Sequence, residues 1–123
     1  MRGHGCIRLF HMPRDPRTAF GSTGVTMDFL PRLADGGECR VTIASLDAVG
    51  TLGRHPATLR QMFAVVSGTG EVEADGLPRA IGAGTLVVWE PGEVHQTQAS
   101  STMPAVVVEV TGTLEPDAHF PKI

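Results

Sequence analysis

Two histidines are the residues of this sequence best suited to chemistry. His55 and His95 each stand where a turn gives way to an apolar, β-prone stretch, whereas His4, His11 and His119 lie in irregular ends and read as solvated. Neutral imidazole is the commonest protein metal ligand, and its pKa near neutrality also makes it a general acid or base. Side chains at two strand starts can converge on one barrel interior from distant parts of a chain. Such a pair could hold a divalent metal or move a proton, although a lone histidine there is usually hydrogen-bonded structure. The acids that could join them are Glu90, Glu93 and Glu109. Glu109 interrupts a valine run, following Val106-Val107-Val108 and preceding Val110. A carboxylate in so apolar a strand is costly to bury unless it is paired or ligating; the alternative is an exposed strand end. Trp89, the only tryptophan, could wall a pocket, fill core or meet another subunit. Arg54 and Arg60 flank His55 and read as solvated surface before anchors for an anion. No G-x-S-x-G, P-loop or dinucleotide fingerprint is present, so those chemistries have no support.

The elements that must position these residues are strands. Fifteen glycines and nine prolines are spread through the chain, and the longest stretch free of both, Glu38 to Val49, is only twelve residues. An average helix barely fits there and nowhere else. Between the breaks the chain is rich in valine and threonine, which suit a pleated surface. Strands are expected over Val25–Leu30, Arg40–Leu46, Leu59–Val66, Glu71–Ala74, Thr85–Trp89, Val94–Gln98 and Ala105–Val110, with Asp75-Gly76 as the strongest hairpin turn. Ala105–Val110 should be central and doubly buried, and Leu59–Val66 is apolar on both faces. The class is all-β, an antiparallel sandwich or barrel. Residues 1–24 read as an irregular arm because Pro13 and Pro16 break it, 25–115 as the barrel, and 116–123 as a tail.

Composition bounds the function further. At 123 residues the chain is one domain, large enough to bury a core without disulfide staples, and Cys6 and Cys39 form no Cys-x-x-Cys unit. Ten basic against thirteen acidic residues give a net charge of −3. That argues against nucleic-acid binding and against a polybasic membrane anchor. No apolar run reaches a membrane span and the first residues lack a signal-peptide core, so a cytoplasmic setting is expected.

The spacing around the two histidines resembles the cupin superfamily. His55 to Gly68 reads H-P-A-T-L-R-Q-M-F-A-V-V-S-G, and Gly84 to His95 reads G-T-L-V-V-W-E-P-G-E-V-H. The cupin motifs are G-x5-H-x-H-x3-4-E-x6-G and G-x5-P-x-G-x2-H-x3-N. His55 and Gly68 fall on the first, Gly84, Gly92 and His95 on the second. The fifteen residues between them, Thr69 to Ala83, match the spacing of small single-domain bacterial cupins. The resemblance implies a double-stranded β-helix (an RmlC-like jelly-roll barrel), usually a divalent metal held by three histidines and a glutamate, and small-molecule chemistry such as oxygenation, isomerisation or lyase reactions. Here Ala57 replaces the second histidine and Gln61 the glutamate, Gly50 sits one residue too close to His55, and Glu90 and Ala99 take the proline and asparagine positions.

The expected site is therefore His55, His95 and Gln61, with Glu109, Glu93 or Glu90 as a possible acid and Ala57, Phe63 and Trp89 lining the pocket. Strand parity puts His55, Ala57, Gln61, Phe63 and Val65 on one face if the strand is unbroken. Two functions follow. One is a metalloprotein holding zinc, iron, manganese, nickel or copper. The other is a metal-free small-molecule binder or sensor in which the histidines hydrogen-bond or act as acid and base. A structural subunit without a site is the third possibility. The resemblance also implies a homodimer.

Overall fold

The computed structural model describes residues 11, 14–29, 39–74 and 76–111. Nine strands follow in order: β1 (Arg14–Pro16), β2 (Thr23–Phe29), β3 (Cys39–Pro56), β4 (Arg60–Val65), β5 (Thr69–Ala74), β6 (Leu77–Gly82), β7 (Leu86–Trp89), β8 (Val94–Ala99) and β9 (Met103–Val110). One 3-10 turn, Ala19–Gly21, joins β1 to β2. All pairings are antiparallel, and the main path runs β6-β5-β8-β3-β9-β4-β7, with β2 added to β3 and β1 to β2. No helix among the described residues is long and apolar enough to cross a membrane.

The long strand β3 organises both walls. Its first half, Cys39–Leu46, lies between β2 and β9, and its second half, Thr51–Pro56, pairs with β8. The inward face of that first half is Thr42, Ala44 and Leu46, meeting Val107, Ala105 and Met103 across the ladder. Val41 and Ile43 face outward and are half-buried. The core gathers these residues with Val25, Phe63, Val65, Val72, Ile81 and Trp89. Burying such side chains is the main driving force for closing the sheet.

Several expectations from sequence need revision. Part of the arm is ordered into a strand: Arg14–Pro16 pairs with Thr26–Asp28, and the Arg14 guanidinium makes two hydrogen bonds, of 2.7 and 3.2 Å, to the buried Asp28 carboxylate. Pro16 is tolerated because β1 is an edge strand. Strand β6, absent from the strands expected, is likewise an edge that tolerates Pro78, paired to β5 with Gly76 (φ +75°) in the turn between Ala74 and Leu77. The central strand β9 is buried on one face only, at Met103, Ala105 and Val107. Val66 lies beyond β4 and is exposed. The tail, 116–123, and most of the arm lie outside the described residues.

Candidate functional site

The inner faces of the two walls enclose a cavity of about 60 Å³, lined by Met27, Leu52, His55, Gln61, Phe63, Trp89, His95, Thr97 and Val107. One wall contributes successive rungs of the ladder: Gln61 lies opposite Trp89 on β7 and opposite Glu109 on β9, and Phe63 lies opposite Val107. The other wall contributes Leu52 paired with Thr97, then His55 paired directly with His95. Simple alternation from Leu52 would turn Arg54 inward. Instead the register shifts between Leu52 and His55, and this β-bulge moves His55 to the inner face. Arg54 is left outside and pairs with Glu73.

Gly53, at the bulge, is held from three sides. Its N–H donates to the buried Ser22 hydroxyl at 3.0 Å, and its carbonyl accepts from His55 Nδ1–H at 2.7 Å. The carbonyl oxygen of Phe20 sits where a side chain would begin, 1.5 Å from the position of a Cβ. Phe20 itself is the one described non-glycine residue with positive φ, +61°, a strained conformation for an aromatic residue. The residue is 60% exposed, yet its ring lies flat on His55 with centroids 4.7 Å apart.

Four rings thus run in contact from the 3-10 turn to β7. Phe20 stacks on His55, His55 meets His95 at 4.6 Å and 57°, and His95 stacks on Trp89 at 4.3 Å and 8°. The tautomers follow from the backbone. His55 Nδ1 faces the Gly53 carbonyl and His95 Nδ1 faces the Glu93 carbonyl at 3.2 Å. A carbonyl can only accept, so each Nδ1 carries the proton, and in the neutral ring each Nε2 is an open lone pair. Burial pushes the His95 imidazole below the usual histidine range, and the neighbouring His55 acts in the same direction, outweighing the hydrogen bond to Glu93. Trp89 Nε1 is the one buried side-chain polar atom without a partner among the described residues.

Of the residues expected from sequence, His55, His95, Gln61, Phe63 and Trp89 come together around the cavity. Ala57 is buried but not in the lining: β3 ends at Pro56, and the Ala57 backbone is tied to the 92–93 turn by bonds to Glu93 and Gly92. Gln61 shares the cavity with His55 from a separate strand, not from continued alternation. Glu90 pairs with Arg60 at the rim, and the Glu93 carboxylate accepts from the Glu90 N–H. Glu109 is outside the lining although it lies directly opposite Gln61 on the ladder, accepting from Gln61 Nε2 at 3.4 Å with Arg40 at 3.8 Å. Among the described residues no group of three or more His, Cys, Asp or Glu is placed to hold a metal ion. The lining residues not anticipated were Met27, Leu52, Thr97 and Val107, together with Phe20 against His55. Thr97 could have been found, since it is two residues from His95 on one strand.

The family model for the cupin domain matches residues 39–111. No curated protein matches the sequence closely enough to stand as a relative. Among solved structures, a predicted oxalate decarboxylase from Thermotoga maritima superposes with a TM-score of 0.72 at 20% identity, over 82% of this chain and 92% of its own. The polyketide cyclase RemF from Streptomyces resistomycificus gives 0.72 at 17% identity, covering 87% and 81%. An RmlC-like cupin from Shewanella frigidimarina gives 0.64 at 18%, covering 72% and 78%. At such identities the likeness speaks to the fold, a jelly-roll barrel. With the family model spanning more than half of the chain and both histidines, the chain belongs to the cupin domain family.

Proposed function

We propose that this cupin domain binds a small organic molecule in the His55–His95 cavity and does so without a metal of its own. The observation that carries the reading is a cavity lining with two open imidazole nitrogens and, among the described residues, no carboxylate. The family's usual metal asks for three histidines and a glutamate. Two neutral imidazoles and an amide would leave a divalent charge uncompensated, and hard cations want carboxylate oxygens. The nearest acid along the ladder, Glu109, is engaged by Gln61 and Arg40. The donor set does not fit the metal. A bound molecule would instead meet two hydrogen-bond acceptors able to take up a proton from it. That neighbouring folds include a predicted decarboxylase and a cyclase supports a small-molecule cavity and does not choose a chemistry.

A second reading keeps a divalent ion on the two Nε2 atoms. What favours it is that both Nδ1–H groups are anchored on backbone carbonyls, the orientation ligating histidines use. Elemental analysis of protein purified without chelator separates the two. The metal-free reading expects well under one equivalent and a melting temperature unmoved by chelator or added metal. Near one equivalent, lost in both His55→Ala and His95→Ala, would overturn it.

The same reading includes an assembly. Ile43, Met62, Val88, Val106 and Val108 form a half-buried apolar stripe on the outer face of β3, β9, β4 and β7. Pairing of two chains across that face would give twice the chain mass in light scattering at micromolar concentration; a monomer sinks this part.

A further inference from the structure

The hydrogen-bonding character of the cavity says what kind of molecule it takes. Both histidines spend their N–H on the backbone, so toward a ligand they are acceptors, and the deep burial of His95 (3% exposed) favours the neutral ring. Gln61 directs its amide N–H₂ at Glu109, which leaves its carbonyl oxygen as a third acceptor. Among the described residues no basic side chain belongs to the lining: Arg54 is paired with Glu73 and Arg60 with Glu90. Trp89 presents its ring to the cavity as wall, while its indole N–H is covered and adds no donor at the surface of the cavity.

We propose that the cavity is built for a small, uncharged, hydroxyl-bearing compound, such as a diol or a hydroxy ketone, and discriminates against carboxylates of the same size. A hydroxyl carries a hydrogen to donate, so it can serve the imidazole lone pairs and the Gln61 carbonyl without bringing a charge into the cavity. A carboxylate has nothing to donate; it would face two lone pairs with no cation to offset its lost hydration. An ammonium group would suit the lone pairs but would find no opposite charge among the described lining residues to offset its lost hydration. A cavity of about 60 Å³ has room for roughly four to five water-sized groups, which sets the size of the ligand. The apolar walls, Met27, Leu52, Phe63 and Val107, suit a short carbon skeleton between polar ends. This inference rests on the cavity being a binding site, and its test separates the two.

Trp89 is the only tryptophan in the chain, so its emission reports on the cavity directly. The experiment titrates the protein with three probes of matched size, propane-1,2-diol, propionate and propylammonium, following that emission. The expected result is a saturable change with the diol that weakens at least tenfold in His95→Phe, and no saturation with either ion over the same range. His55→Phe, at the half-buried ring, serves as the second variant should His95→Phe melt below assay temperature. A propionate or propylammonium response that saturates at or below the diol's concentration, and is lost in the variants, overturns the ligand class while leaving the binding site standing. A diol response that is linear and unchanged in the variants is a solvent effect and overturns the ligand class as well. The binding site is then judged independently, by a fragment screen on wild type and His95→Phe.

Discussion

Replacing Gly53 by alanine tests how the site is held together. A methyl group at this position would begin 1.5 Å from the Phe20 carbonyl oxygen and 2.6 Å from its carbon. Backbone atoms cannot rotate away, so the Ala19–Gly21 turn must retreat by at least about 1.5 Å to reach the closest approach that real Cβ atoms make. Moving the turn pulls Ser22 off the Gly53 N–H, a buried bond whose loss costs about 1–3 kcal/mol. Residual crowding adds about 1–3 kcal/mol. Together we expect a loss of about 2–6 kcal/mol, seen as a melting temperature lower by about 8–24 °C in a domain of this size. Circular dichroism reads the melt. Ser22→Ala separates the hydrogen-bond share, which should be the smaller part. In a chain that lacks residues 1–21 the clash has no partner, and Gly53→Ala should cost under about 1 kcal/mol, a coupling that a double-mutant cycle reads directly. Gly53→Ala within about 0.5 kcal/mol of wild type in the full chain would refute the seating of Phe20 on the bulge.

Three further outcomes are expected. Leu46, fully buried where β3 faces β2 and Met103, should cost about 2–5 kcal/mol on replacement by alanine, measured by urea unfolding. Stability should fall on acidification: the unfolded His95 takes its proton first, near pH 6.5, whereas the folded ring, held below that value, lags behind. The loss therefore begins as pH drops through about 6.5, continues toward the folded pKa and is absent above about pH 7.5, and His95→Gln should flatten that slope in melts taken from pH 8 to 5. Glu109→Gln should change stability by under about 1 kcal/mol, because its Arg40 contact is long and part-exposed, and should leave metal content unchanged. A metal lost with Glu109 would favour the metal-bound reading.

Much of the barrel was legible because glycine and proline punctuate the chain at strand length and the intervening segments are β-branched. The strands that escaped, β1 and β6, contain Pro16 and Pro78, and only their places at the sheet edge make those prolines harmless. Gln61 could be placed beside the histidines by its motif spacing and Phe63 by sharing its face, although the unbroken strand assumed from His55 onward does not exist, since β3 ends at Pro56 and β4 begins at Arg60. The inward turn of His55 could not, since it depends on a bulge whose cause is a long-range contact between Gly53 and residues 20–22. Nor could Glu109 be resolved as paired or exposed. Its partners Arg40 and Gln61 lie 69 and 48 positions away and meet it only when β9 slots between β3 and β4. Local sequence describes a strand's faces; it does not describe who sits on the next rung.

The route by which β3 is paired also governs how this molecule can be assembled. Its first half waits for β9, so that Cys39 finds Val110 and Ile43 finds Val106, while its second half waits for β8. Pairings of such long sequence separation are slow to form, because the loop between them must close before any contact rewards it. During synthesis, residues 39–46 have β2 on one side and an unpaired edge on the other until the last strand emerges. That edge carries Val41 and Ile43, the kind of bare apolar strand that recruits other chains. A fragment ending at Ala99 already contains both histidines and all four stacked rings, yet it should aggregate instead of binding anything. In this barrel the chemistry is complete in sequence before the fold is able to present it.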